Sequence, residues 1–548
     1  MKRRTYIIAA TLCVACNPGD GNPFDAAGNS SGGTASTTGG QGPGGSTVAD
    51  GPGDPDTTVG NADGTQDSDE GGIFDVGGGV DLGLPPGSIP ECGDLAKDEA
   101  TSVGCEFWAV RVPLFSNPLA PATYGIGVGN PFDQEVTVVI EDMRGAGGVL
   151  REVHQLVLGP KQSELLTLEG PGGILPTENH TAAGVGITQN AAFRITSDGP
   201  MTAMQIAPVG GAPSFMPEAS MLLPKRALND VYYGIGYEAY TIPFPIPGFA
   251  GWVVVTAVED NTTVTTVDGE QILDAFDTWT YAPDDPTGFF VSADKRIAVF
   301  GGTNCSNIPG DNGWCDHVEE QLIPVAAWGT RYVGARHPQR SATTPEDVYW
   351  RLVAGQDDTD VTLTPGTVVH LASAGDYYDF ATPENFLAES DEEHPFMLVQ
   401  FMGGGEALYP GEECFADAAA TGDPYMMQMV PTDQWLDQLP FLTDGSYQRD
   451  FVTIVRPAGT SVTLECMGQI PNDRFDLIPG TDFEVANIFL DIDGAGGEAN
   501  CVDGQQFITA EEPVGVSVGG YDCAASYGYP GGMSLDALWI PPDVPPAG

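Results

Sequence analysis

The sequence predicts an all-β fold made of four tandem β-repeats of roughly 100 residues each, preceded by a disordered N-terminal tether. Two observations lead to this prediction. Apolar and polar residues alternate in short runs that are separated by turns containing Asp, Asn and Gly, and a linker of the Leu-Leu-Pro type recurs along the chain. The linker prolines at positions 224, 324, 431 and 541 lie 100, 107 and 110 residues apart.

Each repeat contains the same series of strand patterns. An aromatic opening strand comes first (FWAV, YYGI and YVGA, with PFLT as a weaker fourth), and a hairpin with a polar turn follows, as in WVVVTAVEDNTTVTTV. A closing hairpin then precedes the linker, as in FLAESDEEHPFMLVQF. Roughly five or six short strands per repeat favour sandwich-like modules. The alternative is a closed ring resembling a β-propeller, although propeller blades usually have four strands.

The predicted organisation is a leader, a tether and the four repeats. Their ranges are 1–15 for the leader, 16–90 for the tether, and 91–226, 227–325, 326–432 and 433–548 for the repeats. The tether consists of Gly, Ser, Thr, Asp, Asn and Pro with few apolar groups, too few to offset the entropy lost on ordering. As a Gly-rich coil it would have a reach on the order of 45 Å.

The leader has the form of an export signal. In MKRRTYIIAATLCVAC, a basic start precedes an apolar run that is too short to span a bilayer. The run ends in Cys-Val-Ala-Cys, which resembles the lipobox of bacterial lipoproteins, so Cys16 is the expected site of lipidation. Ordinary signal cleavage is the alternative. We therefore expect an exported protein, anchored by lipid at the outer membrane or cell surface of a bacterium.

The chain contains 10 cysteines, and eight remain if Cys13 leaves with the leader and Cys16 carries lipid. An even number of cysteines in an exported protein predicts disulfides, although eight cysteines allow 105 pairings. Three pairs would close short local loops, and a fourth pair follows by elimination. These pairs are Cys92 with Cys105, Cys305 with Cys315, Cys466 with Cys501, and Cys414 with Cys523.

The charge of the chain restricts its partners. Lys and Arg number 20 against 76 Asp and Glu, a formal net charge of −56. So acidic a surface repels phosphate backbones and anionic headgroups, so we expect no nucleic-acid partner and a membrane contact through the N-terminal lipid only. The acidic residues either keep the protein soluble or also collect calcium, which takes six to eight oxygen ligands. Calcium is therefore the candidate cofactor, although the EF-hand pattern is absent from the sequence.

One stretch, CDHVEEQLIP at residues 315–324, places a cysteine and a histidine beside three carboxylates. Asp316, His317, Glu319 and Glu320 are candidate ligands for calcium or another cation, or could orient an imidazole for proton transfer. The alternative is structural. A Cys305–Cys315 disulfide would close the loop between these two cysteines. Asp316 to Glu320 would then be a loop that leads into the second linker. No nucleophile with a matched base accompanies the cluster, so no catalytic residue is assigned.

Four stretches between Cys105 and about Pro541 carry a resemblance to a known family: GCEFWAV, FRITSDGPMTAMQ, CDHVEEQLIPVAAWGTRY and RDFVTIVRPAGTSVTL. With them, this region resembles the N-terminal domain of the IgGFc-binding protein family, which also occurs in bacterial surface proteins. The resemblance implies an extracellular binding or adhesive module, and it brings no catalytic residues with it.

Three functions are consistent with these features. The first is a non-enzymatic cell-surface lipoprotein that binds or adheres to an extracellular protein or glycan through exposed loops. The insertion GPGGILPTENHTAAGVGITQN in the first repeat is the candidate binding loop. The second is a secreted metal-dependent hydrolase that uses the Asp316–Glu320 cluster. The third is a purely structural envelope protein.

Overall fold

The computed structural model describes residues 101–541, except 115–122, 177–185, 212–215, 241–249, 311, 343, 406–407 and 409–420. Within these residues the regular structure consists of β-strands and 3-10 helices of three residues, which confirms the all-β prediction. The leader, the tether and Cys16 lie outside the described residues. In the described part of the chain, no helix is long and apolar enough to cross a membrane.

The strands fall into four consecutive sets, which we call segments 1 to 4. Segment 1 contains β1 (Gly104–Val110), β2 (Tyr124–Gly129), β3 (Val136–Gly145), β4 (Val149–Leu158), β5 (Ser163–Glu169), β6 (Gly186–Thr188), β7 (Ala192–Ala207) and β8 (Glu218–Met221). Segment 2 contains β9 (Asn229–Tyr233), β10 (Gly251–Ala257), β11 (Thr262–Thr266), β12 (Gly269–Leu273), β13 (Thr278–Tyr281), β14 (Phe290–Ser306) and β15 (Asp316–Gln321).

The other two segments follow the same plan. Segment 3 contains β16 (Arg331–Gly334), β17 (Val348–Ala354), β18 (Thr359–Leu363), β19 (Thr367–Leu371), β20 (Tyr377–Thr382), β21 (Phe386–Glu389), β22 (Phe396–Phe401) and β23 (Met426–Gln428). Segment 4 contains β24 (Leu436–Leu442), β25 (Arg449–Pro457), β26 (Val462–Leu464), β27 (Gly468–Gln469), β28 (Asp476–Leu477), β29 (Phe483–Ile492), β30 (Gln505–Asp522) and β31 (Ala525–Pro530).

Each segment is built from two antiparallel sets of strands. In segment 3 they are separate sheets, with strand orders β16-β21-β18-β19 and β20-β17-β22-β23. In the other segments a single strand of 16 to 18 residues (β7, β14 or β30) belongs to both sets. Its first half pairs with the opening strand, and its second half pairs with the strand that leads to the linker (β8, β15 or β31). The segments are therefore sandwich-like, as the sequence favoured.

The closing hairpin predicted for every repeat is not formed. Only in segment 3 does this stretch consist of two strands, and there β21 and β22 belong to different sheets. In the other segments the chain does not turn back, so the prediction is wrong in all four. The register between the long strand and the opening strand jumps where the sequences SDGP, ADKR and AEEP interrupt the apolar pattern. Such a bulge redirects a strand without ending it. The polar tetrapeptide therefore marks the passage from one sheet to the other.

The strands and polar turns predicted as hairpins are present as β10 with β11, β17 with β18 and β25 with β26. The two strands of each set do not pair with each other, so the prediction of a hairpin is wrong. Their second strands alternate buried and outward side chains, as in TDVTL of β18, which is the pattern of a half-buried strand. Asn261, Asp358 and Gly459 occupy the turns with positive φ values of 54°, 56° and 87°. Asn, Asp and Gly are the residues that adopt this conformation at least cost, which explains the turn sequences.

The linkers share one local structure. The carbonyls of Pro224, Pro324 and Pro431 accept hydrogen bonds from the N–H three residues later at 2.8, 2.9 and 3.0 Å. These bonds form the 3-10 helices Lys225–Ala227, Val325–Ala327 and Thr432–Gln434. Proline suits the start of such a turn because its φ is fixed and it has no N–H to satisfy. The recurring Pro in the sequence thus ends one segment and starts the approach to the next.

The last strands of the segments lie around the centre of the molecule. β8 packs against β15 and β31, and β23 packs against the same two strands, so the four strands form a closed cycle. The two ends of the described chain also meet, because the N–H of Ser102 donates to the carbonyl of Met533 at 3.0 Å. Sandwich-like segments and a closed ring, which the sequence presented as alternatives, are therefore both present.

Candidate functional site

The Asp316–Glu320 run lies on β15, one of the four central strands. The prediction that it forms a loop before the linker is wrong, because residues 316 to 321 pair with β14 and each is at most 2 % exposed. The partner strand has Gly301 and Gly302 opposite this run, and a Cβ on Gly302 would collide with the carbonyl oxygen of Val318. Because glycine has no side chain, β14 and β15 can lie close together at this point. The acidic side chains of β15 occupy the space on either side of the strand.

The structure does not bring the four candidate ligands together. Successive side chains of a strand point to opposite faces, so Asp316 and Glu320 lie on one face of β15 and His317 and Glu319 on the other. Within the described ranges, no group of three or more His, Cys, Asp and Glu side chains could hold a metal ion. A cation at this run stays a prediction, and the side-chain geometry does not favour it.

The His317 face of β15 is a hydrogen-bonded network between segments 1 and 2. His317 Nδ1 lies 3.2 Å from the carbonyl oxygen of Thr303, and Nε2 lies 3.0 Å from Glu319 Oε2. The other oxygen of Glu319 accepts from Gln205 Nε2 of β7 at 3.2 Å. A carbonyl accepts only from a protonated nitrogen, so Nδ1 carries a proton and Nε2 shares one with Glu319. Burial raises the pKa of Glu319, and its bonds to His317 and Gln205 oppose that rise.

The opposite face of β15 points to the ring centre and joins three central strands. Glu320 Oε2 accepts from the hydroxyl of Ser220 on β8 at 3.1 Å, and Glu218 Oε1 of β8 accepts from the N–H of Gly528 on β31 at 3.1 Å. The second oxygens of Glu218, Asp316 and Glu320 have no hydrogen-bond partner among the described residues. We call Glu218, Asp316 and Glu320 the axial carboxyls.

Burial raises the pKa of each axial carboxyl well above its ordinary value, and neighbouring acids raise it further. A buried carboxylate without a cation or several donors is costly, so these groups hold protons. At most 1 % of any of them is exposed to solvent. The cluster that stood out in the sequence therefore joins the central strands, and it is closed to a substrate in this conformation.

The disulfides connect parts of the chain that belong to the same segment, and Cys305–Cys315 joins the end of β14 to the residue before β15. Cys305–Cys315 and Cys466–Cys501, two of the predicted short-range pairs, are present. Cys105 is also in a disulfide, and Cys92, its predicted partner, lies outside the described residues. Cys414, predicted to pair with Cys523, lies outside them as well. The central part of the candidate binding loop also lies outside the described residues. Near its end the loop forms β6, which pairs with β13 of segment 2.

A cleft of about 250 Å³ opens between segments 1 and 4. Its walls come from β5, β7 and β24, and from two Asp-Gly turns, Asp444-Gly445 and Asp503-Gly504. Behind the second turn lies Asp450, which is fully buried and accepts a hydrogen bond from the hydroxyl of Tyr527 at 2.6 Å. Burial raises the pKa of the Asp450 carboxyl well above its ordinary value, and the charge of Asp503 raises it further. Burial, with the charge of Asp491 next, raises the pKa of Asp503 to about 6.

The sequence analysis did not find this cleft. The two Asp-Gly pairs, in LTDG and CVDG, are visible as turn signals, but 59 residues separate Asp444 from Asp503 and nothing in their spacing indicates contact. Their proximity depends on the pairing of β24 with β30. The wall from segment 1 depends on closure of the ring, which brings the first and last segments together.

Comparison with known proteins assigns the family. A family model described as IgGFc binding protein matches residues 218–520. The chain belongs to the IgGFc-binding protein family. A search of curated proteins gives no match.

The match covers a defined part of this IgGFc-binding family member. It starts at Glu218, the first residue of β8, and ends inside β30. Segments 2 and 3 and most of segment 4 are therefore inside the match, together with two of the four stretches on which the resemblance rested, CDHVEEQLIPVAAWGTRY and RDFVTIVRPAGTSVTL. The other two stretches belong to segment 1 and lie outside it. The family is one of binding domains, which indicates a binding role.

Proposed function

We propose that this protein is a non-enzymatic, lipid-anchored surface protein of a bacterium that binds an extracellular protein or glycan. Membership in the IgGFc-binding family is the observation on which this proposal rests. No catalytic residue follows from the family or from the sequence. The function is carried by the outer surface of the ring, because the conspicuous polar cluster of the sequence is buried at its centre.

The architecture supports a binding role. Each segment contributes turns on a β-scaffold, and the central strands and linkers hold the segments in one arrangement. Gln321 and Gln428 illustrate this, since their side-chain oxygens accept from the linker N–H groups of Leu223 and Ile323 in the preceding segment, at 2.7 and 3.0 Å. Loops on a rigid scaffold lose little entropy on binding, which favours recognition.

The binding proposal is tested with the soluble full-length protein carrying Cys16→Ser. Immobilised protein is exposed to immunoglobulin Fc, to extracellular matrix proteins and to a glycan array, each with calcium and with a chelator. We expect saturable binding to at least one macromolecule in the nanomolar to micromolar range that is typical of specific complexes. Loss of that binding in the chelator would support a calcium role. Absence of binding to every macromolecule tested would contradict the proposal and would favour a structural role in the envelope.

The proposed lipid anchor predicts a specific effect at one cysteine. Cys16→Ser should move the protein from the membrane fraction to the soluble fraction, because a lipid on Cys16 would be its attachment. Cys13→Ser is the matched control and should leave the protein in the membrane fraction. Fractionation followed by immunoblotting measures both. Membrane association that survives Cys16→Ser would show that another feature holds the protein there.

A further inference from the structure

The cleft between segments 1 and 4 is acidic, and its walls are partly apolar. Asp444, Asp503 and Glu164 contribute carboxylates, while Leu442 and Met204 contribute apolar surface. Of the described residues that line it, none is Lys or Arg. The basic residues nearby in sequence have other partners, since Lys161 pairs with Glu465 at 3.7 Å and Arg449 with Asp493 at 3.8 Å.

The acidic side chains around the cleft differ in how many hydrogen bonds their carboxyl oxygens accept. Both oxygens of Asp444 accept hydrogen bonds from Ser446, and both oxygens of Asp491 accept from backbone N–H groups. By contrast, Asp450 Oδ2 and Asp503 Oδ1 are shielded from solvent and have no hydrogen-bond donor in the described part of the chain. Asp450 is fully buried and faces Asp503, which lines the cleft. An unsatisfied buried carboxyl of this kind is costly unless a proton or a cation joins it.

We propose that this cleft receives one cationic side chain, a lysine or an arginine, of a protein partner, whose charged head pairs with Asp503. This inference rests on the proposed binding function and names a contact for it. The apolar walls suit the methylene stem of such a side chain, and the carboxylates suit its head. A divalent cation would use oxygen ligands alone, and the described residues contain no set of three or more acidic or His ligands for one.

The size of the cleft agrees with a single side chain. At about 250 Å³ it is smaller than the roughly 300–1,000 Å³ of sites that enclose small molecules. It is also open on one side, as docking of a residue that belongs to a larger partner requires. The strongly acidic surface, with a net charge of −56, would attract a basic partner and speed its encounter.

Binding of a cation in the cleft should depend on pH, because Asp503 must lose its proton to pair with the cation. Asp503 faces Asp450 of β25, Asp491 of β29 and Asp444 of the β24–β25 turn, and Glu164 of β5 lines the opposite wall. Burial, followed by the charges of Asp491 and Asp444, raises the pKa of Asp503 to about 6. A cation favours the ionised form, so it must displace the proton where one is bound. Affinity should therefore rise about tenfold between pH 5 and pH 7, because only about a tenth of the Asp503 carboxyls are ionised at pH 5.

The experiment uses the full-length Cys16→Ser protein and three capped pentapeptides with arginine, lysine or the neutral isostere citrulline at the centre, flanked by glycines. Binding is measured by isothermal titration and by ligand-detected NMR at pH 5 and pH 7. We expect the arginine and lysine peptides to bind about tenfold tighter than the citrulline peptide at pH 7. Asp503→Asn should abolish that difference, and Glu164→Gln should reduce it. Asp493→Asn, an acid of the same segment outside the lining, should leave it unchanged.

Several outcomes overturn the inference. One is equal binding of the citrulline peptide, and another is unchanged discrimination in Asp503→Asn. A third is calcium binding that depends on Asp503 without discrimination among the peptides. Misfolding does not obscure the result, because removing the Asp503 charge relieves repulsion and the variant should unfold at the same or a higher temperature.

The test separates this inference from the function it rests on. A macromolecular ligand that binds the Asp503→Asn variant as well as the parent would disprove the cleft and keep the binding function. Peptide discrimination that depends on Asp503, together with no macromolecular ligand in the panel, would keep the cleft and count against the tested ligand classes.

Discussion

Replacing Arg351 with methionine should lower the free energy of unfolding by about 3–5 kcal/mol, the cost of removing one partner from a buried ion pair. The guanidinium of Arg351, 2 % exposed, forms a two-pronged bond to Asp379 of the same segment, at 2.6 and 2.8 Å. Its Nη1 atom also reaches segment 2, where it lies 3.0 Å from Asp285 and donates to the carbonyl oxygen of Gly236 at 2.9 Å. Methionine fills similar space but leaves both carboxylates without their cation.

Equilibrium unfolding in guanidinium chloride, with the disulfides intact, measures this loss. Arg449→Met is the control, because Arg449 and Asp493 are 3.8 Å apart and both are partly exposed, and such pairs contribute at most about 1 kcal/mol. Arg351→Lys keeps the charge without the planar fork and should fall between the two variants. A cost below about 1 kcal/mol for Arg351→Met would mean that this residue does not hold segments 2 and 3 together.

The features of the fold that depend on local sequence could be predicted. Alternation in TDVTL, the turn residues Asn261 and Asp358, and the recurring linker prolines each specify their own conformation through neighbours in the chain. The polar tetrapeptides were misjudged because a turn and a bulge require the same residue types. Which of them forms depends on whether the next strand pairs with the same sheet or with the other one, and that choice is made by tertiary pairing.

The contacts of the Cys-Asp-His run could not be predicted from the sequence, for a related reason. Reactive residue types close together in a sequence suggest a shared site, but on β15 the strand period sends Asp316 and His317 to opposite faces. Whether acids are exposed or protonated depends on what surrounds them, here Ser220 and Gly528 from other segments. Proximity of Asp503 to the opposite wall of its cleft likewise requires closure of the ring. Local sequence therefore predicted the strands, and contacts between segments decided the sites.

The axial carboxyls should make the protein less stable as pH rises. Burial raises the pKa of Glu218 well above its ordinary value of 4.5, and the neighbouring acids Asp316 and Glu320 add to this rise. Between the unfolded and folded pKa values, the native state therefore binds more protons than the unfolded state. Stability then falls with increasing pH, by about 1.4 kcal/mol per pH unit for each proton held. Below the unfolded pKa the group contributes no pH dependence, because it is protonated in both states.

Glu218→Gln isolates the contribution of one axial carboxyl. Glutamine resembles the neutral acid, since its carbonyl can accept from Gly528 and its amide replaces the protonated oxygen. The variant should therefore match the parent protein near pH 4 and become more stable than the parent as pH rises above about 4.5, by up to about 1.4 kcal/mol per unit. Guanidinium unfolding at half-unit intervals from pH 4 to pH 8 gives the difference directly. Glu392→Gln, an exposed acid of segment 3, is the control and should show a small, flat difference.

The double variant Glu218→Gln, Glu320→Gln distinguishes independent protons from a coupled set. While both acids hold their protons, the two single gains should add. At a pH at which one of them ionises, its charge raises the pKa of the other, so there the two substitutions together should gain less than the sum of the single gains. A difference between Glu218→Gln and parent that does not change with pH would mean that Glu218 is already ionised in the folded ring. A donor or cation would then have to meet its second oxygen at the centre, because a bare charge there would cost more than the ring can tolerate.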